Sequence, residues 1–545
     1  MKFFINKKEV LVVILFLIIA LFSIALATQL PKGLSGDEVV VLLSDKLRNN
    51  TDFPDANLLS SLSFDSYLYP RIISFLSANF SAETYRSFLL FIYVFFTGYC
   101  SYLALRILKF SRATAIAVAV IALMPRVSPG ATFFGVFTHY ENLGRSMSSP
   151  IIWLLAAYNI KFLSERKNLY WLFFVAGLLV YIHPVTMIFF SALLFIISFF
   201  WLFKDRGFKT AILNTLKSVV AFALGAFFLL KEIITTTASS LEDITVYSAS
   251  GFEYAQALLY RMPWDFLPET ILWLRQVAVI SFVFILFILS VIFLAKKKKI
   301  SFSVESKKIF YWSGLLMFFS VLFSYFLPNI QLYLVRHFDF PFIIQQSSRI
   351  FKFYYLGLFL ALAVSVEFFR KYFKNRLLFT FIVIIGIVSS SIGFEWVQYL
   401  LGSGNYQSEY IFSSWQENLP ENKADRYQRI CQQLKDAGID QGDLVISSDF
   451  DLRYFCQVRL FVTYEEGSTY LMRGKEPLVY WYNIFLRQAE VLDSKQANDL
   501  IDFANNISAQ YAVLPTDSEM VPELEAGGLV VGKSDDLRII KFVNK

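Results

Sequence analysis

Zinc-ligand spacing and a glycine-rich phosphate loop are both missing from this sequence, and cysteine and histidine are down to three residues each. The first two absences remove the usual marks of a structural zinc site and of a P-loop or dinucleotide-binding unit. Three cysteines cannot form a disulfide framework; Cys100 sits in an apolar run, which leaves Cys431 and Cys456 able to pair. Charge is scarce too. Asp, Glu, Lys and Arg make up 17% of the chain, where a soluble domain has roughly a quarter. What is present instead is apolar: 56% of residues, with 60 phenylalanines. That balance excludes an ordinary soluble enzyme and predicts a polytopic α-helical membrane protein. The net charge of +7 is no nucleic-acid footprint, because Lys and Arg fall in short clusters between apolar segments.

Eleven apolar segments approach the roughly 20 residues that cross a hydrocarbon core. They lie near 9–28, 85–108, 113–125, 150–163, 169–183, 185–203, 211–230, 271–295, 308–328, 351–369 and 377–395. The third and fourth are short enough to be tilted, broken or packed inside protein. The first exceeds the roughly 7–15 residues of a signal-peptide core, so it reads as an uncleaved helix despite Ala25-Leu26-Ala27. Six basic clusters all fall on one side of this layout: Lys2/Lys7/Lys8, Arg106/Lys109/Arg112, Lys161/Arg166/Lys167, Lys204/Arg206/Lys209, Lys296 to Lys299, and Arg370/Lys371/Lys374/Arg376. The positive-inside rule makes that side cytoplasmic and places the C-terminus outside, in a multi-pass protein of the plasma or inner membrane. The inner loops leave no room for a nucleotide-binding domain, against an ATP-driven pump or a cytosolic sugar-nucleotide enzyme.

The unusual features are therefore expected outside. A membrane domain, 1–403, carries outer loops 29–84, 126–149, 231–270 and 329–350, and an extracytoplasmic α/β domain follows at 404–545. In that tail, helices are predicted at 425–437, 478–492 and 495–505. Strands are predicted at 444–448, 460–464 and 510–514 and near 529–531 and 537–542. Helices alternating with short apolar strands predict a small three-layer domain. It shows no nucleophile elbow and reads as a cap over the membrane site or a partner-binding unit.

The first outer loop opens with an adjacent carboxylate pair, Asp37-Glu38, followed by an amphipathic run suited to lying on a membrane surface. Asp37 is a solvated loop charge, a cap for that helix, or a catalytic group. The loop continues through Tyr67 and Pro70 to Arg86 near the start of the second apolar segment. This arrangement resembles the GT-C superfamily of polyprenol-phosphate-sugar-dependent glycosyltransferases, in its protein O-mannosyltransferase and lipid A aminoarabinose transferase branch. The resemblance is best over the first 110 residues and looser in topology. It implies a GT-C-like membrane domain of about 11 helices and Asp37 as catalytic base, with Glu38 orienting it or reaching a metal. It also implies a polyprenyl-phosphate sugar donor, an unidentified glycan, lipid or protein acceptor, and no nucleotide as direct donor. Membrane lipids are the remaining partner, and nucleic acid is not one.

Several residues are candidates for holding the donor phosphate. Arg86 opens the second helix, Arg126 and Arg145 flank the second outer loop, and His183 ends a membrane helix, where it binds phosphate or caps the helix C-terminus. His337 and Arg349 lie in an aromatic stretch between Pro328 and the tenth helix. That stretch is either an interfacial segment or a groove for an isoprenoid tail, with Arg349 on the phosphate. His139 and Glu141, with Glu38, could share a divalent metal, although the loop has no DxD sequence and also suits a solvated loop. Lys217, Arg275 and Glu367 sit within or at the ends of membrane segments, where charge is costly and usually faces protein or a cavity; Lys217 can snorkel inward and Arg275 outward, so neither of those two demands a site. Two other classes fit the same topology: an envelope lipid or polysaccharide transporter, and a non-catalytic scaffold with an outer binding domain. The acidic pair alone favours the enzyme.

Overall fold

The computed structural model of the chain describes residues 7–27, 68–80, 82–123, 147–231, 249–263, 266, 269–342, 347–373, 380, 384, 423–440 and, with short gaps, 443–542. These are mostly helical, with a small sheet near the C-terminus. In chain order the helices are α1 (Lys7–Ala27), α2 (Leu68–Asn79), α3 (Ala82–Ile107), α4 (Arg112–Leu123), α5 (Ser149–Ser164) and α6 (Tyr170–Leu178). They continue with α7 (Pro184–Arg206), α8 (Phe208–Gly225), α9 (Gly251–Arg261), α10 (Glu269–Lys297), α11 (Val304–Phe338) and α12 (Lys352–Phe373). Each apolar segment up to the tenth coincides with one of them; the eleventh falls, but for residues 380 and 384, outside the described residues. Among the described residues, four helical stretches are long and apolar enough to cross a membrane: Ser87–Ile107, Pro184–Arg206, Val304–Phe338 and Arg349–Tyr372.

α12 is the bundle's centre, with 89% of its apolar window buried. Its sequence, apolar on all sides from Leu356 to Val366, suits a helix surrounded by others. Packing elsewhere depends on small residues. A Cβ at Gly177 of α6 would lie 2.2 Å from the Phe222 carbonyl oxygen of α8, and one at Gly225 would lie 2.4 Å from that of Phe174. These two helices meet backbone to backbone, as membrane helices do where glycine permits.

The basic helix ends gather at one end of the bundle. Glu9 of α1 accepts from the Tyr102 hydroxyl and pairs with Arg112, both at 2.7 Å. Glu367, near the end of α12, accepts from the Ser111 N–H at 3.2 Å and from the Ser111 and Thr114 hydroxyls at 2.5 and 2.6 Å. It thereby caps the N-terminus of α4 from across a helix gap, where a negative charge is favoured. Arg166 meets Asp205 at 3.3 Å and Lys204 lies 4.2 Å from the Tyr311 ring, joining the ends of α5, α7 and α11. Within the bundle, Trp312 donates to the Asn159 carbonyl oxygen at 2.8 Å and Asn159 donates to Ser198 at 3.0 Å, tying α11, α5 and α7.

One boundary is corrected. The stretch from 329 was expected as an outer loop after Pro328, but α11 runs through Pro328 to Phe338 over 35 residues. Ser320, Ser324, Pro328, Gln331 and Val335 form one buried stripe at helical spacing. Continuous packing on that face outweighs the single backbone bond the proline removes. At 1.5 Å per residue, the 35-residue α11 is about 52 Å long, well beyond a hydrocarbon core of about 30 Å.

The projecting end carries the C-terminal domain. Its elements are α13 (Lys423–Asp436), β1 (Leu444–Ile446), α14 (Asp451–Cys456), β2 (Arg459–Leu460), α15 (Lys475–Asp493), α16 (Ala497–Ile507), β3 (Tyr511–Pro515), α17 (Val521–Ala526), β4 (Val530–Lys533) and β5 (Leu537–Lys541). The strand order is β2-β1-β3-β5-β4; β1 is parallel to β2 and β3, and β5 is antiparallel to β3 and β4. Alternation works on both faces of this sheet. Ile446, Leu514 and Ile540 pack on α16, while Val445, Val513 and Ile539 pack against α13 and α14. The three expected layers are present. The short helices α14 and α17 were not expected, since neither is long enough to show a helical period. A Cys431–Cys456 disulfide joins α13 to α14.

α9 and the end of α11 form the platform beneath this domain. The nearly buried Arg261 stacks its guanidinium 4.6 Å from the Tyr464 ring, and the Tyr464 hydroxyl donates to the Arg261 carbonyl at 3.1 Å. Lys475 pairs with Asp339 at 2.6 Å. Arg261→Ala removes a desolvated cation–π contact of about 2 kcal/mol together with its packing. Limited proteolysis should then release the domain faster than from the parent; equal rates would mean that the platform is held elsewhere.

Candidate functional site

The site begins with a helix start. Pro184 occupies the first turn of α7, where its missing N–H costs nothing. His183 precedes it in extended conformation, and its Nδ1 accepts the Thr186 N–H at 3.2 Å. The Nδ1 lone pair thus fills the N-cap role that a Ser or Asp oxygen usually takes. The expectation that His183 caps the C-terminus of the preceding helix is therefore corrected. α6 ends at Leu178 and passes through a 3-10 turn to Tyr181, and His183 caps the N-terminus of the helix that follows.

Thr186 uses its backbone for His183 and its hydroxyl for Lys352, whose ammonium donates to it. Lys352 is only 2% exposed and opens α12, with the Phe353 ring 5.3 Å from its ammonium. A 3-10 turn, Ser347–Phe351, leads into that helix and carries the half-buried Arg349. Ser347 beside it is fully buried, and its hydroxyl has no hydrogen-bond partner among the described residues. Two helix N-termini and an ammonium thus come together beside a capped histidine, with Arg349 on the turn that leads into α12. Backbone N–H groups at helix starts and fixed cations both favour an anion. The basic ends Lys204/Arg206 of α7 and Arg370/Lys371 of α12 lie at the far ends of the same helices.

Of the sequence candidates, His183 and Arg349 fall in this cluster. His337 does not join it in the same way: it is exposed on the last turn of α11, with its ring 4.6 Å from Tyr333, at the end that carries the C-terminal domain. Its neighbour Asp339 ends the helix in left-handed conformation and pairs with Lys475. Arg86 falls within α3, but its side chain is not among those described. Asp37, Glu38, Arg126, His139, Glu141 and Arg145 lie outside the described residues. Among the described residues no three His, Cys, Asp or Glu side chains cluster to hold a metal. Sequence reasoning missed Thr186 and Lys352. The available signal was a lysine three residues after Arg349 at the start of an otherwise apolar helix.

No protein-family model matches this chain, and no curated protein matches it.

Proposed function

We propose that the chain is an integral membrane glycosyltransferase that moves a sugar from a polyprenyl-phosphate donor to an acceptor on the extracytoplasmic face. The observation that carries this reading is the meeting of Lys352 with the His183-capped start of α7, next to the turn that carries Arg349, at the ends of helices whose opposite ends are basic. The positive-inside rule puts those opposite ends in the cytoplasm. A disulfide in the C-terminal domain suits an oxidising compartment, which agrees.

In the reaction, Asp37 takes the proton of an acceptor hydroxyl as that oxygen bonds to the anomeric carbon, with inversion. The bond from that carbon to the phosphate oxygen breaks, and the lipid phosphate departs with one further negative charge. Arg349 meets that charge with forked donors. Lys352, buried at the start of α12, strengthens the local positive field without contacting the phosphate. Glu38 orients Asp37 or reaches a metal. A carboxylate in a water-poor cleft has its pKa raised toward the range a general base needs.

Replacing Asp37 by Asn in cells lacking the native copy tests the reading. Mass spectrometry should show a missing envelope glycan and accumulated lipid-linked sugar at normal protein abundance. An unchanged profile, where deletion of the whole gene alters it, would remove Asp37 as base and favour a transporter.

A further inference from the structure

The parallel half of the C-terminal sheet has the order β2-β1-β3. From β1 the chain leaves through α14 toward β2, whereas from β3 it leaves through α17 toward β4 and β5 on the other side. Loops that diverge from neighbouring parallel strands open a crevice beyond the strands' carboxyl ends, and this is where open α/β sheets bind ligands. A cavity of about 440 Å³ occupies that place. Ser448, just after β1, faces the loop Asp517, Ser518 and Glu519 beyond β3, and Asp493 and Lys495 come from the end of α15. Leu492 and Pro515 add apolar wall. The volume lies in the range of small-molecule sites, about 300–1,000 Å³.

The lining selects the class of ligand. Carboxylates outnumber ammonium groups, and Lys495 is already paired with Glu519 at 2.6 Å. Phosphates and nucleotides, which such crevices hold with a glycine-rich loop and a helix start, are repelled here. The loop after β1 reads Ser447-Ser448-Asp449 and has no glycine. Asp493 and Asp517 have no ion pair among the described residues, so their oxygens are available to accept. We propose that this crevice binds a neutral saccharide. Each carboxylate accepts hydroxyls from a vicinal diol, the serine hydroxyls donate and accept at the rim, and Leu492 and Pro515 cover the C–H face of the ring. The crevice is distinct from the cluster at the start of α7 and α12, and its occupancy requires no transfer activity.

The test uses the full chain in lipid nanodiscs, with saturation-transfer difference NMR against a panel of neutral mono- and disaccharides. At least one saccharide should bind the parent. Asp517→Asn should weaken it by about tenfold or more, the effect of losing a charged hydrogen-bond acceptor. Ser448→Trp should fill the crevice and abolish binding. Ser448 and Asp517 are exposed, so both variants should keep the parent's thermal midpoint and its Cys431–Cys456 bridge. No binding by any member of the panel, or parental binding by both variants, would overturn the proposal. So would a midpoint shift by calcium or spermidine that Asp517→Asn removes, with saccharides silent, because the crevice would then be a cation site.

Discussion

Arg349→Met is expected to lower sugar transfer by about 10²–10³-fold, the usual cost of removing one preorganised group from developing negative charge. In transfer from a lipid phosphate, the departing group gains negative charge as the glycosidic bond breaks, and a cation held in a dry site acts mainly on that transition state. Arg349 sits on a 3-10 turn anchored in the core by Ile350 and Phe351, so its backbone is fixed before the substrate arrives. The loss should therefore appear mainly in kcat. Arg349→Lys should recover part of it, since the charge remains but the planar fork that grips two phosphate oxygens does not. Lys352→Met should cost about tenfold, because at this depth the ammonium acts through the field and through Thr186. A transfer assay with purified protein and a polyprenyl-phosphate sugar decides it. Activity of Arg349→Met within threefold of the parent would take the phosphate away from this cluster.

Gly177→Val is expected to be among the most destabilising single changes in the bundle. Even the first added carbon would sit 2.2 Å from the Phe222 oxygen and 3.1 Å from the Ala226 nitrogen, both of them backbone atoms. A side chain can rotate away from such a clash, but a packed helix cannot. α6 and α8 must separate, losing the dispersion contacts that hold membrane helices together where no hydrophobic force acts between them. Overpacking of this kind costs about 1–3 kcal/mol or more. Gly225→Val should behave alike from the other side, with 2.4 Å to the Phe174 oxygen. Gly314→Ala in α11 is the control: nothing lies within 4 Å of its added carbon. It should match the parent or gain a little from helix propensity. Midpoints of thermal unfolding in detergent compare the three, and parity between Gly177→Val and Gly314→Ala would show that the α6–α8 contact is dispensable.

Much of this architecture was legible locally. Long apolar runs and basic clusters mark helices and their ends because hydrocarbon and charge sort residues one segment at a time. The alternation of Val445-Ile446 and Val513-Leu514 likewise announced strands buried on both faces, and Cys431 with Cys456 was the one available pair outside the apolar runs. Local rules failed where packing overruled them. Pro328 reads as a helix end, yet the buried stripe from Ser320 to Val335 carries the helix through it. His183 beside a proline fits either helix terminus, and only the fold of α6 and α7 shows which one it caps. The sequence by itself determined a helical, membrane-suited chain with basic helix ends and an α/β tail. Tertiary structure alone decided that His183 and Thr186 meet Lys352 beside Arg349, and that the β2-β1-β3 order opens a crevice at β3. Residues separated by more than 160 positions, such as Thr186 and Lys352, leave no mark on each other's neighbourhood in the chain; only the crossing of two packed helices makes them one site.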